Sequence, residues 1–202
     1  MAARVRRTPD EAKRLILEAA AGLLAAGGPA AVRVRAVAAE VGVSDAAVNH
    51  HFGTHEQLLS ALLRFGGSKL KSELRTALGG WSDEAADPAG LVRVLSALYA
   101  DGFAELALAL RQLGWRDTGS GMLDEVVDRL HTTARAACAT TGRTAPSRET
   151  VQLTVAALHQ AVATEPLFGD EFRRSAGLDA GARDRLLDWW TETLRSILAG
   201  TD

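Results

Sequence analysis

The chain has 202 residues and a formal net charge of −2, so it is long enough for one or two small domains with a hydrophobic core and does not demand a polyanionic partner. Its single cysteine excludes an intramolecular disulfide and predicts a reducing, cytoplasmic setting. No apolar stretch of about 18 residues occurs, and no apolar segment follows the basic N-terminus. We therefore expect neither a membrane span nor a secretory signal.

The charge is unevenly distributed along the chain. Residues 1–55 contain seven Lys and Arg against five Asp and Glu, whereas the remainder contains 16 against 20. A mildly basic front and an acidic rear favour different partners for the two parts. Arg4, Arg6 and Arg7 lie in a basic arm. In one interpretation this arm contacts phosphate or the minor groove of DNA, and in the other it is a solubilising tail.

Ala, Leu, Arg and Glu are abundant and apolar residues recur every three to four positions, which predicts an all-α fold. The first helix begins at Thr8–Glu11, which has the composition of a capping box with Pro at the first helical position. Gly27–Pro29 should end it. A second, short helix over about 34–41 should end at Gly42, which readily adopts a left-handed conformation.

Ser44 is placed to cap a third helix over about 45–51. Thr54–Gln57 has the pattern of a second capping box and should open a longer fourth helix. Three helices with the turn "VGVS" at 41–44 between the second and the third are typical of a helix-turn-helix.

The rest of the chain predicts further helices. Residues 79–90 and the segment "EPLFGD" at 165–170 are predicted connections, and Gly66–Gly67 is a candidate bend in the fourth helix. We therefore divide the chain into an N-terminal helix-turn-helix domain, 1–55, and a C-terminal helical domain, 56–202. The further helices are predicted over about 89–100, 103–114, 121–140, 148–164 and 180–199.

A third helix of this length fits the major groove of DNA and presents its N-terminal side chains to the base edges. Val48 and Phe52 share the inward face, which leaves Asp45, Asn49 and His50 outward. Asn is suited to adenine, Asp to cytosine and the Ala methyl to thymine, while hydroxyls, imidazoles and helix amides are suited to phosphates. The predicted DNA-binding residues are Arg33, Arg35, Ser44, Asp45, Ala46, Ala47, Asn49, His50, His51, Thr54 and His55.

The segment "VRVRAVAAEVGVSDAAVNHHFGTHEQLLSALL" resembles the DNA-binding domain of the TetR (tetracycline-repressor-like) family of bacterial transcription regulators. The match covers roughly residues 8–65, and Ala38, Gly42 and Phe52 follow the family pattern at buried positions. The resemblance implies an N-terminal helix-turn-helix domain and a C-terminal helical domain that binds a ligand and forms the dimer.

Three positions depart from the family pattern. Arg33 stands where a capping Thr is usual, Asn49 where Tyr is usual and His55 where Lys is usual. In the family the Tyr and the Lys look like phosphate contacts. The departures therefore concern DNA contacts, while the buried pattern of the fold is kept.

The clustered histidines 50, 51 and 55 raise the question of a metal. His50 and His51 point about 100 degrees apart on a helix, and a glycine separates His51 from His55. We therefore expect no metal and no cofactor, and the choice for each histidine lies between DNA contact and an ordinary solvated or packed role. No catalytic set emerges from the carboxylates, serines or the cysteine, so we do not expect an enzyme.

A ligand pocket in the C-terminal domain would need aromatic walls and a polar anchor. The histidines of that domain are either such anchors or ordinary core residues, and the aromatic side chains are either pocket walls or ordinary packing. The predicted ligand-binding residues are Tyr99, Phe103, Trp115, Met122, His131, His159 and Phe168.

The last two predicted helices are apolar over so much of their circumference that each needs two neighbours. One neighbour is the core of the domain, and the other is a second copy of the chain in a two-fold four-helix bundle. Trp189 and Trp190 cannot both face the same way, so one of them is suited to the interface. The predicted interface residues are Val155, Leu158, Val162, Trp189, Trp190, Leu194 and Ile197.

These observations predict a homodimeric DNA-binding transcription regulator, a repressor that a small molecule releases from double-stranded operator DNA. One alternative is an orphan dimeric regulator or interaction module with no effector and weak DNA binding, which the departures at Asn49 and His55 favour. A more remote alternative is a helical enzyme that acts on a small molecule.

Overall fold

The computed structural model describes residues 8–81, 86–116, 121–179 and 181–201. Within these residues the predicted all-α fold is confirmed, and none of the helices there is long and apolar enough to cross a membrane. Arg4, Arg6 and Arg7 lie outside the described residues. The helices are α1 (Pro9–Gly27), α2 (Val34–Val41), α3 (Asp45–Phe52), α4 (His55–Gly79), α5 (Pro88–Leu98), α6 (Ala104–Gln112), α7 (Asp124–Thr141), α8 (Arg148–Ser175) and α9 (Ala182–Leu198).

Two compact units make up the chain. The first combines Met1–Ser68 with Ala100–Arg116, and the second combines Lys69–Tyr99 with Asp117–Asp202. Helix α4 contributes to both units, because it continues past Ser68. The division predicted at residue 55 concerns function and stays a prediction.

The first unit has its core where α1, α2 and α3 pack on one another. Helix α1 contributes a narrow buried stripe, because residues four apart such as Ile16, Ala20 and Leu24 lie on one face. The shorter α2 and α3 contribute one or two buried side chains each. The fully or almost fully buried side chains of this core include Ile16, Ala20, Leu24, Val32, Val37, Ala38, Val48, Leu58 and Leu62.

Local sequence determines where these helices begin and end. Thr8 and Glu11 form the predicted capping box, in which the Thr hydroxyl accepts from the Glu11 amide and the Glu11 carboxylate accepts from the Thr8 amide. Gly42 ends α2 in the left-handed conformation with φ 72°, and the Ser44 hydroxyl then accepts from the amide of Ala47 to open α3. The predicted turn and its caps are therefore confirmed.

The second piece of the first unit packs through a glycine of α4. A Cβ added to Gly66 would lie 2.1 Å from Cε1 of Phe103, a residue that is itself 4% exposed. The absence of a side chain at Gly66 therefore makes room for the Phe103 ring. Gly67 next to it has open space, so the two adjacent glycines differ in their surroundings.

The second unit has its core among α5, α7, α8 and α9. The end of α9 is held to the connection after α7 by two backbone hydrogen bonds between Thr144 and Thr201, with N–O distances of 2.8 and 3.0 Å. Cys138 is buried beside this contact, and its thiol lies 3.4 Å from the carbonyl oxygen of Ala199. The cysteine therefore occupies the position of a small packed side chain.

Helix α8 is longer than the sequence predicts. The predicted helix ended at residue 164, before the connection predicted over 165–170, but the helix continues to Ser175. The guanidinium of Arg173 is buried and donates to the carboxylates of Glu165 and Asp170, so one side chain links the turns on both sides of the proline. The hydrogen bond that Arg173 donates to Glu165 raises the pKa of Arg173 above its ordinary value, against the opposite effect of burial. The predicted break at residues 165–170 is therefore wrong.

Candidate nucleic-acid interface

Helix α3 presents an exposed face formed by the side chains of its first two turns. Val48 is fully buried and fixes which side of the helix faces the core. Asp45, Ala46, Asn49 and His50 are exposed, and Ala47 and His51 are half-buried. The residues predicted to reach base edges therefore lie on the accessible side of α3, and their contact with DNA stays a prediction.

Hydroxyl and amide groups cluster at the two ends of α3. The amide of Gln57 donates to the hydroxyl of Thr54 at 3.2 Å, and the amide of Thr54 donates to the Gln57 side-chain oxygen at 2.8 Å. This pair forms the predicted second capping box and fixes the start of α4 directly after α3. The hydroxyls of Ser44 and Thr54 already accept from a backbone amide, and each keeps its proton for a further acceptor such as a phosphate oxygen.

The basic side chains of this region are sparse. Arg33 and Arg35 are exposed at the start of α2, and the Nε of Arg33 donates to the carbonyl oxygen of Ala30 at 3.1 Å. Residues 8–68 carry five Lys and Arg against six Asp and Glu. Residues 8–68 therefore have no net positive charge of their own, and attraction to phosphates depends on individual side chains.

The three histidines do not converge on one point. The rings of His50 and His51 meet edge to face with centroids 5.5 Å apart, and the ring of His51 also lies beside Phe52 at 6.5 Å. His55 turns away to Val32, whose carbonyl oxygen lies 2.6 Å from its Nε2. Among the described residues, no three or more His, Cys, Asp or Glu side chains are grouped so that they could hold a metal ion.

The predicted ligand-binding residues are divided between the two units. Phe103 and Trp115 belong to the first unit, where Phe103 is buried against Gly66. In the second unit the hydroxyl of Tyr99 and Nε2 of His159 form a hydrogen bond of 2.5 Å, and both residues are half-buried. Met122 and His131 are half-buried, and Phe168 is 44% exposed beside Phe172. The structure thus brings Tyr99 and His159 together.

The residues predicted for the dimer interface fall into two groups. Val155, Leu158, Val162 and Leu194 are at most 2% exposed, so they lie in the core of the protomer itself and leave no surface for a partner. Trp189 is 56% exposed, while Trp190 and Ile197 are half-buried. Only this second group has surface to offer a second copy.

Three large apolar side chains lie on the outside of α8; sequence reasoning missed Leu153 and Phe172 and assigned Phe168 to a ligand pocket. Leu153, Phe168 and Phe172 are 66%, 44% and 61% exposed. Leu153 lies on the opposite side of the helix from the buried stripe that contains Leu158, whereas Phe168 and Phe172 lie to one side of that stripe. The four-residue spacing of Phe168 and Phe172 was the available signal for a shared helix face, but the predicted helix ended before them, at the connection predicted over 165–170.

Comparison with known proteins agrees with this arrangement of the first three helices. Residues 16–62 match the model of the bacterial regulatory proteins of the tetR family. The segment over residues 16–62 is thus similar to the tetR-family domain. The tetR-type domain includes α2, α3 and the turn between them, and it therefore contains every residue of the exposed α3 face.

Curated relatives match the front half of the chain. The HTH-type transcriptional repressor Rv3405c of Mycobacterium tuberculosis is 39% identical over 95 residues, which cover 46% of this chain and 50% of that protein. The HTH-type transcriptional regulator Mb3439c of Mycobacterium bovis matches with the same figures. The chain thus spans about half the length of the curated relatives it matches.

Solved structures extend the likeness of fold over the whole chain. A member of the TetR family from Streptomyces coelicolor A3 is 21% identical with a TM-score of 0.52, and the match covers 93% of this chain and 98% of the other. The multidrug binding protein EbrR, solved in complex with imidazole, is 22% identical with a TM-score of 0.51 over 98% of this chain and 97% of the other. A tetR-type domain followed by a helical domain is therefore the fold of this chain.

Proposed function

We propose that this chain is a DNA-binding transcription regulator that represses its targets as a homodimer and leaves its operator when a small molecule binds. The observation that carries this proposal is the exposed polar face of α3 in a tetR-type domain, with Val48 buried behind it. A short helix held in this way enters the major groove with its first turns toward the bases. Asn49 and Asp45 offer the two chemistries that distinguish adenine and cytosine there.

The dimer is proposed from the outer faces of α8 and α9. Leu153, Phe168 and Phe172 on α8 and Trp189 on α9 remain exposed in the protomer. Large apolar side chains left in water at these positions favour an additional packing partner. A second copy supplies one, because a two-fold axis places the same face of each protomer against the other.

Binding as a dimer also defines the symmetry and the half-site spacing of the expected operator. Two α3 helices in successive major grooves read half-sites about 10 base pairs apart, and the two-fold axis makes the sequence a near palindrome. Selection from random duplex DNA with the full chain tests this. An enriched palindrome with that spacing supports the proposal, and a pool without an enriched sequence contradicts it.

The effector is proposed to bind in the helical second unit. The Tyr99–His159 pair supports a site there, since it is a half-buried polar contact among apolar helices. The EbrR structure, a similar fold, is that of a multidrug binding protein in complex with imidazole. In this scheme the ligand acts by binding the DNA-free conformation more tightly than the DNA-bound one.

Linkage supplies the test of that step. Compounds that bind are found by the rise they cause in the melting temperature of the free protein. An effector among them should lower the protein's affinity for the selected operator by the same factor by which the operator lowers the protein's affinity for that compound. A compound that saturates the protein and leaves the operator complex intact would not be an effector. If every stabilising compound behaved so, the ligand-release part of the proposal would be rejected, while DNA binding would stand.

A further inference from the structure

We propose that His55 is a positioning residue of the DNA-binding domain, which holds the two ends of the α2–α3 pair together rather than contacting DNA itself. The inference rests on the proposed DNA-binding function and deepens it. Its basis is the hydrogen bond between the His55 ring and the main chain at Val32, which joins two positions 23 residues apart.

The chemistry of the bond fixes the direction of donation. A carbonyl oxygen only accepts, so Nε2 of His55 carries the proton and donates it to the Val32 oxygen at 2.6 Å. Val32 is fully buried, so its carbonyl oxygen gains a partner from the protein. With Nε2 committed in this way, that nitrogen is not available to a phosphate oxygen.

The position of Val32 explains what the bond can control. Val32 directly precedes Arg33, the residue at the N-cap of α2, and no side chain makes a capping hydrogen bond there. The entry of the chain into α2 is therefore held by other contacts. The amides of Val32 and Arg33 donate to Pro29 and Ala31, Nε of Arg33 donates to Ala30, and His55 donates to Val32. Of these four bonds, the one from His55 comes from outside the segment.

The bond from His55 to Val32 also constrains the end of α3, because His55 lies shortly after that helix. His55 is the first residue of α4, and Gly53 and Thr54 alone separate it from α3. Gly53 has a φ of 79°, and a Cβ there would lie 2.1 Å from the Gln57 side-chain oxygen, so this connection is tightly defined. Helix α3 is thus tied to α2 at one end by the turn at Gly42 and at the other by the His55–Val32 bond.

A phosphate contact and a residue that only positions α3 have different measurable effects on DNA binding. A side chain that contacts phosphate as a cation contributes about one unit to the slope of log affinity against log salt concentration. A neutral side chain that only positions α3 changes the affinity for the selected site and leaves the slope as it was. The substitution His55→Gln keeps an N–H donor near the position of Nε2, whereas His55→Leu removes it.

Operator binding by the full chain provides the first test. We expect His55→Leu to bind the selected operator about threefold to tenfold more weakly, the loss of one hydrogen bond, with an unchanged salt slope. His55→Gln should bind within about threefold of the unsubstituted protein, also with an unchanged slope. The proposal would be overturned if His55→Leu bound the operator with the affinity of the unsubstituted protein, if His55→Gln did not retain binding, or if either variant showed a smaller salt slope. Should His55→Leu not fold, as judged by its melting curve, the His55→Gln expectations decide alone.

A second measurement separates this inference from the proposed function. In protein with ¹⁵N-labelled histidine and no DNA present, long-range proton–nitrogen spectra identify the protonated ring nitrogen of neutral His55. We expect the proton on Nε2, whether or not a DNA site is ever found. A proton on Nδ1 would overturn the positioning role, whereas absence of an enriched operator would reject only the DNA-binding function.

Discussion

Gly66 and Phe103 meet so closely that the ring occupies the space of a side chain: a Cβ on the glycine would lie 2.1 Å from Cε1. Because Phe103 is 4% exposed, the ring has little room to move away. The contact belongs to the unit that contains the tetR-type domain, and it gives the glycine pair of α4 two different roles.

The first prediction concerns this contact. Gly66→Ala should lower the free energy of unfolding by about 1–3 kcal/mol, because the added methyl overpacks a filled site. Gly67→Ala is the matched control, since it adds the same methyl in open space and should raise stability by about 0.5–1 kcal/mol through helix propensity. Urea unfolding of both variants measures the difference. Equal effects of the two substitutions would contradict the packing described.

A second prediction concerns base reading by α3. Asn49 is exposed next to the buried Val48 on α3, so Asn49→Ala should lower discrimination between the selected operator and single-base variants by about 1–3 kcal/mol. The loss should appear at one base pair of each half-site. Gln152→Ala, an exposed residue of α8, serves as the control. An unchanged preference at every base pair would mean that Asn49 does not read a base.

The third prediction is a dependence of DNA affinity on pH. His50 and His51 lie next to each other on α3, and protonated imidazole attracts phosphate. Affinity at fixed salt should therefore be higher at about pH 6 than at about pH 7.5, because contact with phosphate favours the protonated ring. The double variant His50→Gln, His51→Gln should flatten the profile. A flat profile in the unsubstituted protein would reject contact by either ring.

The fourth prediction assigns the salt dependence to the N-terminal arm. Residues 1–55 have an excess of positive charge only because of Arg4, Arg6 and Arg7, since the segment has only four other basic residues against five acidic ones. Replacing the three arginines with alanine should reduce the salt slope by up to about three units if each pairs with a phosphate. The melting temperature provides the control for folding. An unchanged slope would favour the interpretation of the arm as a solubilising tail.

A fifth prediction concerns the proposed dimer. Trp189→Glu places a charge on an exposed apolar surface of α9 and should weaken association without unfolding the protomer. Sedimentation equilibrium measures the change in the dimer dissociation constant. Asp188→Asn, at the adjacent exposed position, is the control for a change of charge. Association that both substitutions leave unaltered would place the interface elsewhere.

Local signals were enough to predict the tetR-type domain. The capping boxes at Thr8 and Thr54 and the glycine stop at Gly42 depend on residues within four positions of each other, and all three occur as predicted. Such signals can be recognised in a sequence because the backbone has few alternative conformations at these residue types. The exposed face of α3 followed from the position of one inward residue, Val48.

Contacts between distant parts of the chain were not predictable in the same way. The His55–Val32 bond joins residues 23 apart, and no sequence pattern marks a ring nitrogen that will reach a carbonyl oxygen. The apolar stripe of α8 was assigned to a partner, although Leu158 is fully buried in its own protomer, because periodicity does not distinguish the two environments. Likewise, no local sequence pattern indicates that Arg173 will donate to Glu165 and Asp170, which lie on either side of Pro166.

The most direct test of the account is the affinity ratio between the selected operator and a scrambled duplex of equal length, measured with the full chain at physiological salt. A specific regulator binds its site about 10³-fold or more tightly than other DNA. We predict a ratio in that range, with one dimer bound per near-palindromic site. A ratio close to one, with binding governed by salt alone, would contradict the claim that the α3 face reads a DNA sequence.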